Sequence, residues 1–233
     1  MVRRAGVIFS SMKVTLIIFT LNEIDGMKAV MPQIKKEWYD ELIIVDGGST
    51  DGTIEYAREH GYFIFVQKEK GAGAAFTESV GLATGDAIII FSPDGNSQAQ
   101  TIPRLIEKMK EGYDMVIASR HAGDAKSYDD DIITAFGNWM FTTLTNLLFR
   151  AKYTDTLVMY RIFKKEIVEK LGIKTRSPAW GTQMCIRCAK KKMKVADIPA
   201  DEPPRIGGKR KMKPFANGIQ ELSMIIGELF RNE

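Results

Sequence analysis

The chain of 233 residues carries two cysteines and two histidines. Two cysteines cannot build the disulfide framework of a small secreted domain, so a reducing, cytoplasmic compartment is expected. Cys185-Ile186-Arg187-Cys188 has metal-like spacing, but the sequence holds no second cysteine pair and only His60 and His121 besides. One turn of a packed helix explains the pair better than zinc or thioredoxin chemistry. A strong charge of one sign is also missing. Against 33 Lys+Arg stand 29 Asp+Glu, net +4, which gives a nucleic-acid partner no support. Nor is there a clear transmembrane run. The longest uncharged stretch, Ile132–Phe149, reaches about the minimum spanning length. Its Thr134, Asn138, Thr142, Thr143, Thr145 and Asn146 make it a better interfacial or core helix. The opening MVRRAGVIFSSMK leaves no room for a signal cleavage region before patterned sequence begins. Residues 1–12 are expected to be a disordered extension, with Met12 a candidate start.

What is present is an ordinary globular mixture, 45% hydrophobic and 27% charged, long enough to bury a sizeable core. Short apolar runs at Val14–Phe19, Leu42–Val45, Tyr62–Val66, Ala87–Phe91 and Met115–Ala118 have strand length and β-branched bias. Helical segments lie between them, at about Gly26–Glu37, Thr53–His60, Ala74–Ala83 and Ile102–Glu111. That alternation predicts an α/β fold, a mostly parallel sheet with helices on both faces. The second half reads differently: a long helix at Ile132–Phe149, a strand at Leu157–Phe163 and helices at Lys164–Leu171 and Gly181–Lys192. A strand at Lys194–Ile198 follows, then a basic loop, Pro199–Lys213. The last segment, Pro214–Arg231, is an amphipathic helix striped by Phe215, Ile219, Leu222, Ile226 and Leu229.

Ligands of open α/β sheets sit beyond the carboxyl ends of the strands. Here those ends read Thr20-Leu21-Asn22-Glu23, then Asp46-Gly47-Gly48-Ser49-Thr50-Asp51, then Ser92-Pro93-Asp94-Gly95-Asn96, then Ser119-Arg120-His121. Each alone passes for turn and cap chemistry, and Asp51 reads as such a cap. Four on one edge point to a functional cleft. Gly71-Ala72-Gly73 opens a helix after a strand, yet Phe76 replaces the third glycine of a dinucleotide fingerprint.

These residues carry a family resemblance. Leu21-Asn22-Glu23, the Asp46–Thr53 block, Gly71 to Gly85-Asp86, Asp94 and Ser119-Arg120 resemble, in order and spacing, the family 2 glycosyltransferases. Asp155-Thr156 to Arg161 resembles the branch that makes polyprenyl-phosphate sugars, the dolichyl-phosphate-mannose-synthase-like enzymes. The likeness covers about residues 13–205 and implies a GT-A-like, Rossmann-type domain there, with residues 206–233 an appended basic loop and C-terminal helix. It implies nucleotide binding by Leu21, Asn22, Glu23, Asp46, Gly71 and Gly73, with Asp46 accepting from base N–H groups. Asp94, with Asn96 a weaker second, is the natural ligand for Mg²⁺ or Mn²⁺ on the donor diphosphate. Asp94, Arg120 and Asp155 are the expected catalytic residues, and Arg120, Arg161, Arg205, Lys209 and Arg210 the expected binders of acceptor phosphate.

The sequence also departs from the pattern. Ser92 replaces the first carboxylate of the metal turn, Asp130 and Asp131 stand where the branch has arginine, and Val158-Met159 replace Ser-Gly. Gln183 lies where members using hydroxyl acceptors have an acid. A hydroxyl needs a general base, whereas a phosphate monoester, mostly ionised at pH 7, needs none. The expectation is an inverting, metal-dependent hexosyl- or N-acetylhexosaminyl-transferase. It would move sugar from a UDP- or GDP-linked donor to a polyprenyl or dolichyl phosphate, as a peripheral protein on the cytoplasmic membrane face. The alternatives are transfer to a soluble glycan or small-molecule hydroxyl, with Asp155 or another carboxylate as base, and a catalytically weak nucleotide-sugar-binding protein.

Overall fold

The computed structural model describes residues 12–173, 175–208 and 213–231. The expected N-terminal extension falls outside this span except for Met12, which packs against the core, and Lys209 and Arg210 fall outside it entirely.

Each apolar run forms a strand: β1 Val14–Thr20, β2 Glu41–Asp46, β3 Ile64–Val66, β4 Ala87–Phe91 and β5 Met115–Ser119. With β6 Arg161–Lys164 and β7 Val195–Pro199 they build one seven-stranded sheet in the order β3-β2-β1-β4-β6-β5-β7. Pairing is parallel except at β6, which runs antiparallel to both neighbours. Alternate residues point to opposite faces. Ile17 and Phe19 of β1 pack toward α3 (Ala72–Leu82), α6 (Lys165–Leu171) and α7 (Trp180–Lys190). Leu16 and Ile18 pack toward α1 (Ile24–Val30), α2 (Thr53–Glu59) and α4 (Thr101–Lys110). Both faces are buried, which is why the strands are apolar throughout instead of alternating.

Two helices lie outside this sandwich. The first, α5, spans Ile132–Phe149 with Asp131 as N-cap, its Oδ1 accepting from Thr134 N at 2.7 Å. The second, α8, spans Pro214–Leu229, and Phe141, Ile186 and Ile225 form a small core joining α5, α7 and α8. The apolar stripe of α8 does not face that core. Phe215, Ile219, Leu222, Ile226 and Leu229 are exposed, and the inward residues are Glu221, Ile225 and Glu228. Glu228 accepts from Arg187 Nη2 at 2.6 Å and Gln183 Nε2 at 2.8 Å, so charge as well as packing fastens α8 to α7.

Three elements are clearly shorter than their sequence patterns, β3 among them, which covers only Ile64–Val66 of the Tyr62–Val66 run. Helix α1 ends at Val30 because Pro32 lacks an N–H, and the chain continues in short 3₁₀ turns at Met31–Gln33 and Lys36–Trp38. Strand β6 begins at Arg161, not Leu157, because the Thr156 and Val158 carbonyls accept from the Arg161 guanidinium. Strand order reverses between β1 and β4, and that crevice is where such a sheet presents a ligand site. Glu23 follows one strand and Asp94 the other.

Candidate active site

The β1 and β2 ends are zipped together. Asn22 N donates to Ser49 Oγ at 2.7 Å, and Thr50 N returns to Asn22 Oδ1 at 2.8 Å. Glu23 N donates to Thr53 Oγ1 at 3.0 Å. Asp51 was expected to cap a helix, but the N-cap of α2 is Gly52; Asp51 instead accepts from Ile24 N, Thr53 N and Thr53 Oγ1, and those bonds outweigh burial to lower its pKa. Asp46 differs from expectation. Its Oδ1 accepts from Gly48 N and Ser49 N, and its Oδ2 from Thr20 Oγ1 and Ser49 Oγ, all within 2.8 Å. Four bonds use a carboxylate's acceptor capacity, and the side chain is fully buried. Asp46 therefore shapes the turn that presents Gly47 and Gly48; in this conformation no lone pair remains for a base. Leu21 lies partly exposed against Gly47 at the same edge.

Gly71 starts α3 at φ +110, a conformation that suits glycine. Gly73 is explained by packing: a Cβ there would overlap the Arg176 and Ser177 backbone. Close approach also brings the first and fourth strand ends together. A Cβ at Gly26 would overlap Pro93 O, so α1 presses against the Asp94 turn and sets Glu23 near Asp94.

Arg205 bridges these two carboxylates, Nη1 lying 2.9 Å from Asp94 Oδ2 and Nη2 bonding Glu23 Oε1. Asp94 Oδ1 accepts from Asn96 N at 3.1 Å, and Asn96 Nδ2 donates to Pro203 O, leaving the amide oxygen as its ligating atom. No group of three His, Cys, Asp or Glu suited to a metal exists among the described residues. One carboxylate with an amide oxygen still fits Mg²⁺ or Mn²⁺, which are commonly held by one or two carboxylates plus substrate phosphates. Asp94 and Asn96 fit as a half-site that a donor diphosphate would complete.

Beyond β5 lies a second charged centre. Arg120 Nε is 2.7 Å from Asp155 Oδ2, and Nη2 is 3.1 Å from Asp155 Oδ1. Nη1 is 3.4 Å from Glu202 and 3.8 Å from Asp130 Oδ2. Burial opposes the charge on Arg120, but these carboxylates raise its pKa further. Burial likewise raises Asp155 while Arg120 more than offsets it, leaving Asp155 an anion below the usual range. A buried, ion-paired carboxylate is a poor general base; Asp155 orients Arg120. Asp130, standing where arginine was expected, is one of Arg120's counter-ions, and it also accepts from Asn138 Nδ2 at 2.8 Å. Glu202 lies in the Pro199–Lys213 loop, before Pro203-Pro204, and no sequence motif marks it.

Arg161 does not reach this centre. It is fully buried, stacks on Trp180 at 5.3 Å and gives its protons to the Gly181, Thr156 and Val158 carbonyls, so it cannot meet an acceptor phosphate. Cys185 and Cys188 are buried thiols of α7, as the spacing implied. A second carboxylate absent from the sequence reading is Glu221 of α8. It is buried, its Oε2 has no hydrogen-bond partner among the described residues, and burial pushes its pKa up to about 7 against the opposing effects of Thr182 and Arg161. A cleft of about 710 Å³ between α7, α8, Gly172, Thr175 and Ser177 is set apart from the strand ends, and its buried cation, Arg187, is consumed by Glu228.

The fold and the sequence match known proteins. The structure of glucosyl-3-phosphoglycerate synthase from Mycobacterium tuberculosis with Mn²⁺, UDP and glucosyl-3-phosphoglycerate superposes with a TM-score of 0.71 over 96% of this chain and 82% of that one, at 17% identity. The fold is GT-A. Glycosyltransferase AglJ of Haloferax volcanii is 28% identical over 214 residues, 91% of this chain and 69% of the relative. A dolichyl-phosphate hexose transferase from the same organism is 25% identical over 205 residues, 87% and 88% of the two chains. The model of glycosyl transferase family 2 matches residues 15–172, from β1 past α6 and so across every strand end described above, and this chain belongs to that family.

Proposed function

We propose that the chain transfers a hexosyl or N-acetylhexosaminyl group from a UDP- or GDP-linked donor to a polyprenyl or dolichyl phosphate at a membrane surface, with inversion at the anomeric carbon. The observation that carries the acceptor is the outward apolar face of α5 and α8. Ile132 (89% exposed), Phe136 and Trp139 on one helix, with Phe215 (79%), Ile219 and Phe230 at the other, present large side chains to solvent. Monomeric proteins rarely leave so much apolar surface uncovered. Among the described residues no helix is long and apolar enough to cross a membrane, so the face suits a helix pair lying in the interface. A phosphate acceptor also matches the chemistry, because Asp155 is held as a paired anion and Gln183 carries no acid. The relative named a dolichyl-phosphate hexose transferase supports the same acceptor class.

In this reading Glu23 faces the nucleoside and Asp94 with Asn96 would hold Mg²⁺ or Mn²⁺. The cation would neutralise the diphosphate as its bond to the sugar breaks. The Mn²⁺ and UDP bound to the glucosyl-3-phosphoglycerate synthase support that donor class. Arg120 is held by Asp155, and its Nη1 would turn toward an acceptor phosphate only if Glu202 and Asp130 gave way.

A second reading, transfer to a hydroxyl, is favoured by Glu221. Its carboxylate is buried on α8, the helix packed against the α7 segment that holds Gln183 in place of an acid, its Oε2 is unpartnered among the described residues, and a pKa of about 7 suits a general base. One assay separates the two: labelled UDP- and GDP-sugars with Mg²⁺ or Mn²⁺, offered both polyprenyl phosphate in detergent and a water-soluble glycan acceptor. Label in the organic phase that persists in Glu221→Gln supports the lipid phosphate. Label confined to water-soluble acceptors and abolished by Glu221→Gln supports the hydroxyl. Donor binding with no transfer to any acceptor would leave a nucleotide-sugar-binding protein.

A further inference from the structure

Arg205 does more than neighbour the donor crevice; its segment is fastened across it. Besides the guanidinium bonds to Asp94 and Glu23, Ile206 N donates to Asp94 O at 2.7 Å and Asn96 Nδ2 to Pro203 O at 3.0 Å. The approach is close enough to require glycine on both sides. A Cβ at Gly95 (φ +94) would overlap Ile206, and one at Gly207 (φ +64) would overlap the Asp25 carboxylate. The Arg205 side chain is left only 15% exposed.

We propose that Arg205 is an internal counter-ion of Asp94 that competes with the divalent cation, so that metal and nucleotide enter by displacing Pro203–Gly208 from the Asp94 turn. This rests on the reading of Asp94 as a metal ligand. A guanidinium 2.9 Å from Asp94 Oδ2 occupies the approach that a hard cation needs at about 2.0–2.2 Å from the same oxygen. Two positive charges cannot share it without strong repulsion. A conformation that excludes a ligand lowers its apparent affinity by the fraction of molecules in the open form. Once displaced, the planar fork of Arg205 can pair with the incoming diphosphate, so one arginine both guards the empty site and neutralises the filled one.

The test is Mn²⁺ titrated into wild type, Arg205→Ala, Arg205→Gln and Arg205→Lys, followed by loss of the free-ion paramagnetic resonance signal, first alone and then with UDP or GDP. Arg205→Ala is expected to bind Mn²⁺ alone roughly tenfold more tightly than wild type. Arg205→Gln should behave like it and Arg205→Lys should fall between. At saturating Mn²⁺ the order reverses for the nucleotide, which binds more weakly once the guanidinium is gone. Mn²⁺ affinity that is equal in wild type and Arg205→Ala, or lower in the variant, overturns the competition while nucleotide binding leaves the proposed function standing. Absence of both metal and nucleotide binding in all four proteins overturns both. Thermal unfolding confirms that the variants are folded, and Arg205→Gln, which keeps most of the stem, repeats the comparison if Arg205→Ala is not.

Discussion

Arg120 and Asp155 form a two-pronged ion pair, 2.7 Å and 3.1 Å long, with Asp155 fully buried and Arg120 nearly so. Removing one member of such a pair strands the other's charge in the interior. Asp155→Asn is expected to cost about 3 kcal/mol in urea unfolding, the low end for a broken buried pair because Glu202 and Asp130 still face Arg120. The folded pKa of Asp155 is depressed, so its contribution is present above the unfolded carboxylate value and disappears as pH falls through the folded one. Wild type should therefore lose stability on acidification below about pH 4 more steeply than Asp155→Asn.

Glu221 has the opposite sign. Its folded pKa, about 7, lies above the ordinary value of 4.5, so folding takes up a proton. The stability this gives is complete below 4.5 and drains away as pH rises to about 7. Glu221→Gln should flatten that slope and exceed wild type by about 2–3 kcal/mol at pH 8. Denaturant unfolding at pH 5 and pH 8 measures both quantities; a parallel loss in the two proteins would disprove the assignment.

The sheet was legible because β1, β2, β4 and β5 are buried on both faces, which writes an uninterrupted apolar run into the sequence. The strand ends were legible for the same reason: polar residues begin where the runs stop. Three things were not. A hydrophobic stripe records that α8 is amphipathic but not which way it faces, and here Glu221 and Glu228 turn inward. Asp46 looks identical in sequence whether its carboxylate meets a ligand or its own turn, since Gly48 and Ser49 lie two and three residues away in either case. The contacts of Arg205 with Asp94 and Glu23 span more than a hundred residues, and no local pattern encodes them.

The outward face of α5 and α8 yields a prediction about membranes. Each large apolar side chain moved from water into an apolar environment contributes about 1.5–3 kcal/mol. Trp139→Ala with Ile219→Ala should weaken binding to phospholipid vesicles at least tenfold in a flotation assay. Both side chains are more than 60% exposed, so the urea midpoint should move by no more than about 0.5 kcal/mol equivalent. Unchanged flotation would remove the main support for a lipid acceptor.

In the proposed reaction the donor half depends on Asp94. It follows β4 at the crevice where the strand order reverses, α1 presses on its turn through Gly26, and Asn96 N fixes its Oδ1. Asp94→Ala removes the one carboxylate of the proposed metal half-site, whose turn already has serine at position 92, so no neighbouring acid in that turn can substitute. Turnover should fall by about 10²–10³-fold, the scale of losing one preorganised electrostatic contact to developing charge. The loss should appear in kcat more than in nucleoside affinity, because Glu23 and the Gly47–Gly48 turn are untouched. Asp94→Asn, which keeps shape and one oxygen ligand, should recover part of the rate at high Mn²⁺. Equal rates for wild type and Asp94→Ala at every Mn²⁺ concentration would show that the cation, if used, is held elsewhere.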